Sequence, residues 1–153
     1  MDQSKVQMGI WAILAAPLFM SNDLRLIRSE FKEILLNKQV IDVNQDPMGV
    51  PGKRIFHNAT LDIWLRRLQS PLTQLKERQS KDTPTSFAIA FINRESRGTI
   101  KPKVLLDELG LHFTYEISDL FEHKSFGQLN SEDYLQVDVP ATGIRLLKAE
   151  LII

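Results

Sequence analysis

The stretch MGIWAILAAPLFM, Met8–Met20, decides how the N-terminal part of this chain is interpreted. Apolar residues recur in and around it at the spacing of a helix face, at Val6, Ile10, Ile13, Leu14 and Pro17. This period predicts a helix over Gln3–Ala16, which Pro17 ends because proline cannot continue it. The apolar residues that follow, Leu18–Met20, are bounded by Ser21-Asn22-Asp23 and are typical of a short buried parallel strand.

Two other interpretations of Met8–Met20 stay open at this point. Its length suits the apolar part of a signal peptide, but the preceding residues have no net positive charge and no small-x-small cleavage site follows. A membrane span needs about 20 apolar residues, and this run is shorter. A buried helix that leads into a buried strand is therefore the favoured interpretation.

Further along, Ser29–Asn37 predicts a second helix, with Ser29 as its cap, charged residues outward and apolar residues inward. Helix, strand and helix in this order are the repeat of an α/β fold, although a complete (β/α)₈ barrel takes about 250 residues. Gln45–Arg54 is rich in proline and glycine and predicts a boundary turn. We therefore expect one unit over residues 1–53 and a second over residues 54–153.

After this boundary the pattern changes to β structure. Six short apolar segments predict strands at Leu61–Leu65, Ser86–Ile92, Val104–Leu106, Phe113–Ile117, Leu135–Val139 and Ile144–Leu151. Polar turns separate them, which favours an antiparallel β-sandwich. Ser70–Thr85 is polar and predicts a solvated hairpin loop, with a binding loop as the alternative.

Composition excludes several function classes. The chain has 19 basic and 19 acidic residues, so no basic field exists to attract nucleic acid. It has no cysteine, which removes disulfides, thiolate chemistry and zinc sites of the cysteine type. His57, His112 and His123 show no ligand spacing, so we expect no metal and no cofactor.

Several side chains are candidates for chemistry, and each has a structural interpretation beside it. Among the carboxylates, Asp23 follows a predicted strand but is also suited to cap a turn, and Asp42 and Asp46 are expected to anchor the boundary turn. Four others lie in the β half, where solvated turns are expected: Asp107, Glu108, Asp119 and Glu122. Trp11 and Trp64 could stack on sugars, but a place in the core or a domain interface is favoured. Asn58-Ala59-Thr60 is an N-glycosylation sequon, so Asn58 is a candidate for glycosylation.

Three blocks in order carry a resemblance to a known family: Trp-Ala-x-x-Ala-Ala-Pro-Leu from Trp11, Met-Ser-Asn-Asp-Leu from Met20 and Val-Asn-Gln-Asp-Pro-x-Gly from Val43. A fourth comprises Ile117–Lys124 and Val139–Gly143. Together they resemble glycoside hydrolase family 27, the α-galactosidases and α-N-acetylgalactosaminidases. The resemblance implies the last helix, strand and helix of a (β/α)₈ barrel, followed by an antiparallel β-sandwich domain.

The resemblance also implies a function. The family hydrolyses terminal α-linked galactose or N-acetylgalactosamine from glycolipids, glycoproteins and oligosaccharides, and retaining glycosidases use two carboxyl groups about 5–5.5 Å apart. The family's two catalytic aspartates and its sugar-binding residues lie upstream of the matched blocks, so no catalytic or substrate-binding residue is assigned in this chain. A homodimer and a lysosomal or secreted location are also implied.

Two hypotheses follow. In the first, the chain is a segment of such a hydrolase, inactive alone, which supplies the closing barrel elements and the sandwich. In the second, it is a non-catalytic β-sandwich module for interaction or sugar binding. The first hypothesis predicts that the apolar surface of the helix Gln3–Ala16 and the strand Leu18–Ser21 is exposed in this chain.

Overall fold

The computed structural model describes residues 2–21, 23, 25–70 and 83–152. Three helices come first: α1 Asp2–Ile13, α2 Ser29–Leu35 and α3 Lys38–Asn44. Eight strands follow: β1 Lys53–His57, β2 Leu61–Leu68, β3 Ser86–Asn93, β4 Lys103–Leu105, β5 Tyr115–Asp119, β6 Ser125–Leu129, β7 Tyr134–Gln136 and β8 Ile144–Leu151. A short 3-10 turn, Asp107–Leu109, follows β4.

The strands form two antiparallel sheets. The larger sheet has six strands in the order β1-β2-β3-β8-β5-β6, and β4 pairs with β7 in a separate two-stranded sheet. Residues of both sheets meet in one hydrophobic core, as in a sandwich. The predicted short helical part followed by an antiparallel sandwich is therefore confirmed.

Both faces of the central strand β3 are buried. Its large residues Phe87, Ile89 and Phe91 pack in the core between the sheets. Its small residues Ala88 and Ala90 lie on the other face, in a second core with α1 and α3. Because side chains alternate along a strand, this large and small alternation lets the helices approach the sheet closely. The helical part is thus a third layer on the sandwich.

Helix α1 ends earlier than predicted, at Ile13 rather than Ala16. The backbone leaves the helix through Ala15, whose φ is 52°, and the N–H of Ala16 donates to the carbonyl of Trp11 at 2.9 Å. This is a 6→1 hydrogen bond of the kind that closes helix C-termini. Pro17 then prevents any continuation, as the sequence predicts.

The last carbonyls of α1 receive donors from distant parts of the chain. Asn44 Nδ2 donates to the carbonyls of Trp11 at 3.0 Å and Ala16 at 2.8 Å. The backbone N–H of Gly52 donates to the carbonyl of Ile13 at 2.7 Å. Helix ends leave carbonyls without intrahelical partners. The Asn44 bonds therefore join α1 to α3, and the Gly52 bond joins α1 to the residue that precedes β1.

Arg66 on β2 completes this joint. It is only 1% exposed, and its Nη1 donates to the carbonyl of Ala12 and, at 3.2 Å, to that of Asn44. Both carbonyls lie at helix C-termini, where the helix dipole attracts a cation. Burial lowers the pKa of Arg66, and the nearby charge of Asp46 raises it.

A second polar link connects α1 to the turn after β5. Lys5 Nζ lies 2.8 Å from Glu122 Oε1, and Arg145 Nη1 lies 3.1 Å from the same oxygen. Asp119 is 2% exposed, and its Oδ1 accepts the N–H groups of Phe121 at 2.9 Å and Glu122 at 3.0 Å. The expectation of a solvated turn is therefore wrong for Asp119, because its carboxylate holds the turn from inside.

Several sequence predictions of the helical part are wrong in detail. The segment Leu18–Ser21 forms no strand, because no described residue pairs with it. Ser29 is the first residue of α2 and does not cap it; the N-cap is Arg28, without a side-chain bond. The predicted helix Ser29–Asn37 ends at Leu35, since Asn37 instead caps α3 by accepting the N–H of Val40. Helix α3 was not predicted.

Differences in the β part are smaller. The edge strands β1 and β6 were not predicted, and the other strand bounds shift by a few residues, with β8 as predicted. Most of the predicted loop Ser70–Thr85 lies outside the described residues. Its ends are buried rather than solvated at Ser70, Thr83 and Thr85.

The close contact at Gly52 generates a prediction. A Cβ at Gly52 would lie 2.9 Å from the backbone oxygen of Ile13 and 2.6 Å from its Cγ2, so Gly52→Ala must push α1 from the sheet. We expect a loss of about 1–3 kcal/mol in unfolding free energy, measured by urea denaturation. Limited proteolysis should also cut residues 2–52 faster than the sandwich.

Gly98→Ala is the matched control for this experiment. Gly98 has a φ of 80°, and no atom lies within 4 Å of the position that a Cβ would take, so the change adds backbone strain without a clash. It should leave the proteolysis of α1 unchanged. Equal cleavage of the helical part in both variants would contradict the role assigned to Gly52.

The opposite pKa shifts of Asp119 and Glu122 generate a second prediction. Burial raises the pKa of Asp119 above 3.8, so its native state binds more protons and stability falls as pH rises through the interval above 3.8. The hydrogen bond from Lys5 lowers the pKa of Glu122 below 4.5, so its contribution is present above 4.5 and lost as pH falls through the lowered value.

Urea denaturation across the acid range tests both signs. Asp119→Asn keeps an oxygen to accept the two N–H groups, and it should remove the stability loss that the wild type shows on raising the pH. Glu122→Gln should do the reverse and remove a stability gain. Curves that stay parallel to the wild type in both variants would show that neither group titrates as described.

Candidate functional site

A groove of about 300 Å³ lies between α1 and α2. Its lining is mainly apolar and includes Met8, Trp11, Leu26, Ile27, Phe31, Ile34 and Leu35, with Ser4, Gln7, Arg28 and Asp23 as polar members. Asp23 is the one carboxylate among these lining residues. Asp23, the best candidate for a catalytic carboxylate from the sequence, therefore lies in the lining of a cavity.

Asp23 is engaged in a local turn. Its Oδ2 lies 2.9 Å from Arg25 Nη2, while its Oδ1 accepts Arg25 Nε at 2.9 Å and the backbone N–H of Arg25 at 3.0 Å. These hydrogen bonds lower the pKa of Asp23, so it stays ionised and is unsuited to donate a proton. The interpretation as a turn cap is confirmed.

Asp42 and Asp46 also have structural partners. Asp42 pairs with Lys38 at 2.8 Å, one turn away on α3. Asp46 accepts the N–H of Met48 at 3.1 Å and, from the end of β2, the N–H of Gln69 at 2.9 Å. The predicted role of these aspartates as anchors of the boundary turn is confirmed for Asp46, and Asp42 supports α3 alone.

A polar cleft of about 400 Å³ lies at one end of the sandwich, near the turn after β5. Asp119, Glu122, Lys124, Phe126, Gln136, Val137, Asp138 and Arg145 line it. It holds two carboxyl groups with opposite pKa shifts, a pattern found in acid and base pairs. Here, however, Asp119 binds backbone N–H groups and Glu122 binds Lys5 and Arg145, so both stabilise the turn.

Asp107 and Glu108 lie in the exposed 3-10 turn after β4, as expected of solvated residues. The three histidines are all exposed. His57 contacts Asp62 at 2.5 Å, His112 contacts Asp107 at 2.8 Å, and His123 contacts Gln39 at 3.1 Å. Within the described ranges, no three histidine, aspartate or glutamate side chains gather as a metal site.

The two tryptophans pack against the helical layer. Trp11 is partly buried on α1 and also lines the groove. Trp64 lies on the helix-facing side of β2, with the guanidinium of Arg54 5.7 Å from its ring centre. A place at the interface between the helices and the sheet, as predicted for Trp64, is confirmed. Asn58 is exposed in the turn between β1 and β2.

Several apolar residues of the helical part are exposed to solvent, and one of them, Leu26, lines the groove. Phe19 is 84% exposed and Leu26 81%, with Leu14, Met20 and Leu36 exposed to a lesser degree. By contrast, Met8, Ala12 and Ile13 on the other face of α1 are buried against the sheet. The predicted exposure of core-facing residues is therefore right for Phe19 and Met20 and wrong for this face of α1.

Sequence reasoning missed Arg66 and the capping role of Asn44. Arg66 is a charged residue in a strand of alternating pattern. Such a residue is predicted to face solvent unless the position of the helical layer is known. No described helix combines the length and apolar character that crossing a bilayer requires.

The sequence matches two family models. Residues 1–46 match the family described as alpha galactosidase A, and residues 58–149 match the alpha galactosidase C-terminal beta sandwich domain. The chain is 33% identical over 146 residues to an alpha-N-acetylgalactosaminidase of Gallus gallus, covering 94% of this chain and 33% of that protein. It is 41% identical over 97 residues to alpha-galactosidase A of Homo sapiens, covering 63% of this chain and 19% of that protein.

The fold is similar to that of solved relatives. Alpha-galactosidase I of Mortierella vinacea superposes with a TM-score of 0.78 at 28% identity, over 97% of this chain and 35% of that one. The chain thus spans about a third of the length of the first relative and of this structure. The chain belongs to the family of the α-galactosidase C-terminal β-sandwich domain, and it corresponds to the C-terminal region of glycoside hydrolase family 27.

Proposed function

We propose that this chain is the supporting C-terminal third of a retaining glycosidase that removes terminal α-linked galactose or N-acetylgalactosamine. Its substrates would be glycolipids, glycoproteins and oligosaccharides. The chain itself would be inactive, because it carries none of the family's catalytic aspartates. This proposal is supported by the matched relatives, whose names are alpha-galactosidase and alpha-N-acetylgalactosaminidase.

One observation carries the inactivity. A retaining glycosidase needs two carboxyl groups about 5–5.5 Å apart, one to attack the anomeric carbon and one to protonate the leaving oxygen. The lining of the groove between α1 and α2 has a single carboxylate, Asp23, which Arg25 holds ionised. A lone ionised carboxylate cannot perform both steps.

The exposed residues Phe19 and Leu26 support the role as part of a larger unit. Burial of a large apolar side chain is worth about 1.5–3 kcal/mol, and both side chains forgo this gain here. In our proposal, residues 1–53 end a barrel and residues 54–153 form the separate sandwich. Strands of the barrel would cover Leu18–Ser21 and the groove.

The proposal extends to location and assembly. We infer a lysosomal or secreted enzyme that acts as a homodimer, with no nucleic-acid partner, no membrane span and no cofactor. These inferences rest on membership of the family. The choice between galactose and N-acetylgalactosamine would be made by barrel residues outside this chain.

A second candidate function is a stand-alone interaction or sugar-binding module. The observation that favours it is the polar cleft at Asp119 and Arg145, which includes the ring of Phe126. Aromatic rings with polar neighbours are suited to sugars. The two functions predict different results when this chain is joined to the barrel of a related enzyme. The first predicts restored hydrolysis, and the second predicts none.

A chimera tests the first function. We expect the purified 153-residue chain to show no turnover of chromogenic α-galactosides or α-N-acetylgalactosaminides. Residues 1–153, placed in exchange for the C-terminal third of the Gallus gallus enzyme, should restore activity that the truncated enzyme lacks. Turnover by the isolated chain would contradict the proposal, and a folded but inactive chimera would favour the module.

Paired variants sharpen this test. Phe19→Glu should leave the stability of the isolated chain unchanged, because the side chain is already 84% exposed. In the chimera the same change should reduce activity at least about tenfold, since it would bury a charge against the barrel. Tyr134→Glu, on the exposed surface of β7, is the control and should leave chimera activity near that of the unsubstituted chimera. Equal effects of both variants would show that Phe19 is not covered.

A further inference from the structure

The triplet Asn58-Ala59-Thr60 forms the turn of the hairpin between β1 and β2. It is the one Asn-x-Ser/Thr triplet in the full sequence. Asn58 and Ala59 are exposed, and Thr60 is partly exposed. A hairpin turn at the edge of a sheet leaves space for a large group, which a buried or central position would not.

The hydrogen bonds of Asn58 leave its amide nitrogen available. Its Oδ1 accepts three bonds: from the N–H of Thr60 at 2.8 Å, from Thr60 Oγ1 at 3.2 Å and from the N–H of Leu61 at 2.7 Å. The backbone carbonyl accepts Arg94 Nη1 at 3.2 Å, and the backbone N–H donates to Leu61.

Nδ2 donates to no other described residue. Replacing one of its hydrogens therefore breaks none of the bonds that shape the turn. Asn58 thus uses only its Oδ1 to hold the turn, whereas the Nδ2 of Asn44 donates to two carbonyls.

The surroundings supply a reason for a covering group. β1 is an edge strand, all five of its residues are exposed, and Ile55 and Phe56 among them are apolar. Exposed edge strands with apolar side chains are templates for pairing with another chain, and natural proteins protect them. A hydrophilic polymer attached at the adjoining turn would obstruct such an approach.

We propose that Asn58 is N-glycosylated and that the glycan shields the edge strand β1. The donor is an oligosaccharide joined through its anomeric carbon to a lipid diphosphate. A bond forms between Nδ2 and that carbon, the bond from carbon to phosphate oxygen breaks, the lipid diphosphate leaves and Nδ2 loses one proton. The inference rests on the secretory location in the proposed function, but it requires no hydrolase activity.

Translation of the full chain behind a cleavable secretory leader, with microsomes present, tests the site. Only material protected from added protease is scored, which restricts the reading to translocated chains. We expect one mobility shift, reversed by peptide N-glycosidase, and conversion of Asn58 to aspartate in the mass spectrum of the released peptide.

Variants of Thr60 are the matched controls. Thr60→Ser keeps the hydroxyl and should keep the shift. Thr60→Val removes the hydroxyl, should abolish the shift, and retains the two backbone bonds to Asn58 Oδ1. Protected wild-type chain without a shift, or a shift that persists in Thr60→Val, would overturn the assignment.

The shielding is tested on the same proteins in solution. In light scattering, the glycosylated wild type should form fewer large assemblies than Thr60→Val at the same concentration, and adding Phe56→Lys to Thr60→Val should reduce those assemblies. Equal association with and without the glycan would overturn the shielding. The chimera assay can be run in a bacterial cytoplasm without glycans, so failure here is distinguishable from failure of the proposed function.

Discussion

A buried guanidinium links the helical part of this chain to the sheet. Arg66 projects from the sheet into the helical layer, where it donates to the terminal carbonyls of α1 and α3. Burying a charge is costly unless it is paired, and here its partners are carbonyls at the negative ends of two helix dipoles. Its Nε and Nη2 have no hydrogen-bond partner among the described residues, so the link exists although only Nη1 of the guanidinium donates. Removing one helix would take away one of the two carbonyls to which Arg66 donates.

The sheet is built to accept that layer. Along β3, large residues face the smaller sheet and alanines face the helices, so α1 comes within reach of Arg66. Gly9 makes the same allowance on the helix side, since a Cβ there would lie 2.6 Å from the Cδ1 of Ile144. Close approach and the Arg66 bonds therefore depend on each other. The boundary near residue 53 therefore separates two sequence patterns whose elements pack closely against each other.

The spacing of apolar residues predicted those elements whose pattern lies within a single stretch of sequence. The apolar run of β3 and the bounds of β8 were predicted, whereas the first helix ends four residues before Pro17. The failures have two causes, since some depend on a partner distant in sequence and others on the geometry of a local turn. Leu18–Ser21 has strand composition but no described neighbour to pair with, and Asp119 is buried because the turn after β5 folds over it. Arg66 and Asn44 look like surface residues until α1 and α3 are placed. For the candidate site, the turn role of Asp23 was predictable because its partner Arg25 is local.

Exposed apolar side chains are distributed unevenly between the core of the sandwich and the helical layer. The core between the two sheets is closed, with Phe91, Leu106 and Leu147 fully buried in it. The helical layer is closed toward the sheet, whereas Phe19 and Leu26 are exposed to solvent, and Leu26 lines the groove between α1 and α2. A soluble domain gains nothing from holding two large apolar side chains in water. Leu26 lines the groove, whose described lining residues include one carboxylate, Asp23. In our proposal, the other strands of the barrel would cover this groove and would carry the two catalytic carboxyl groups. In our proposal, support and catalysis are therefore divided along the outer surface of α1 and α2.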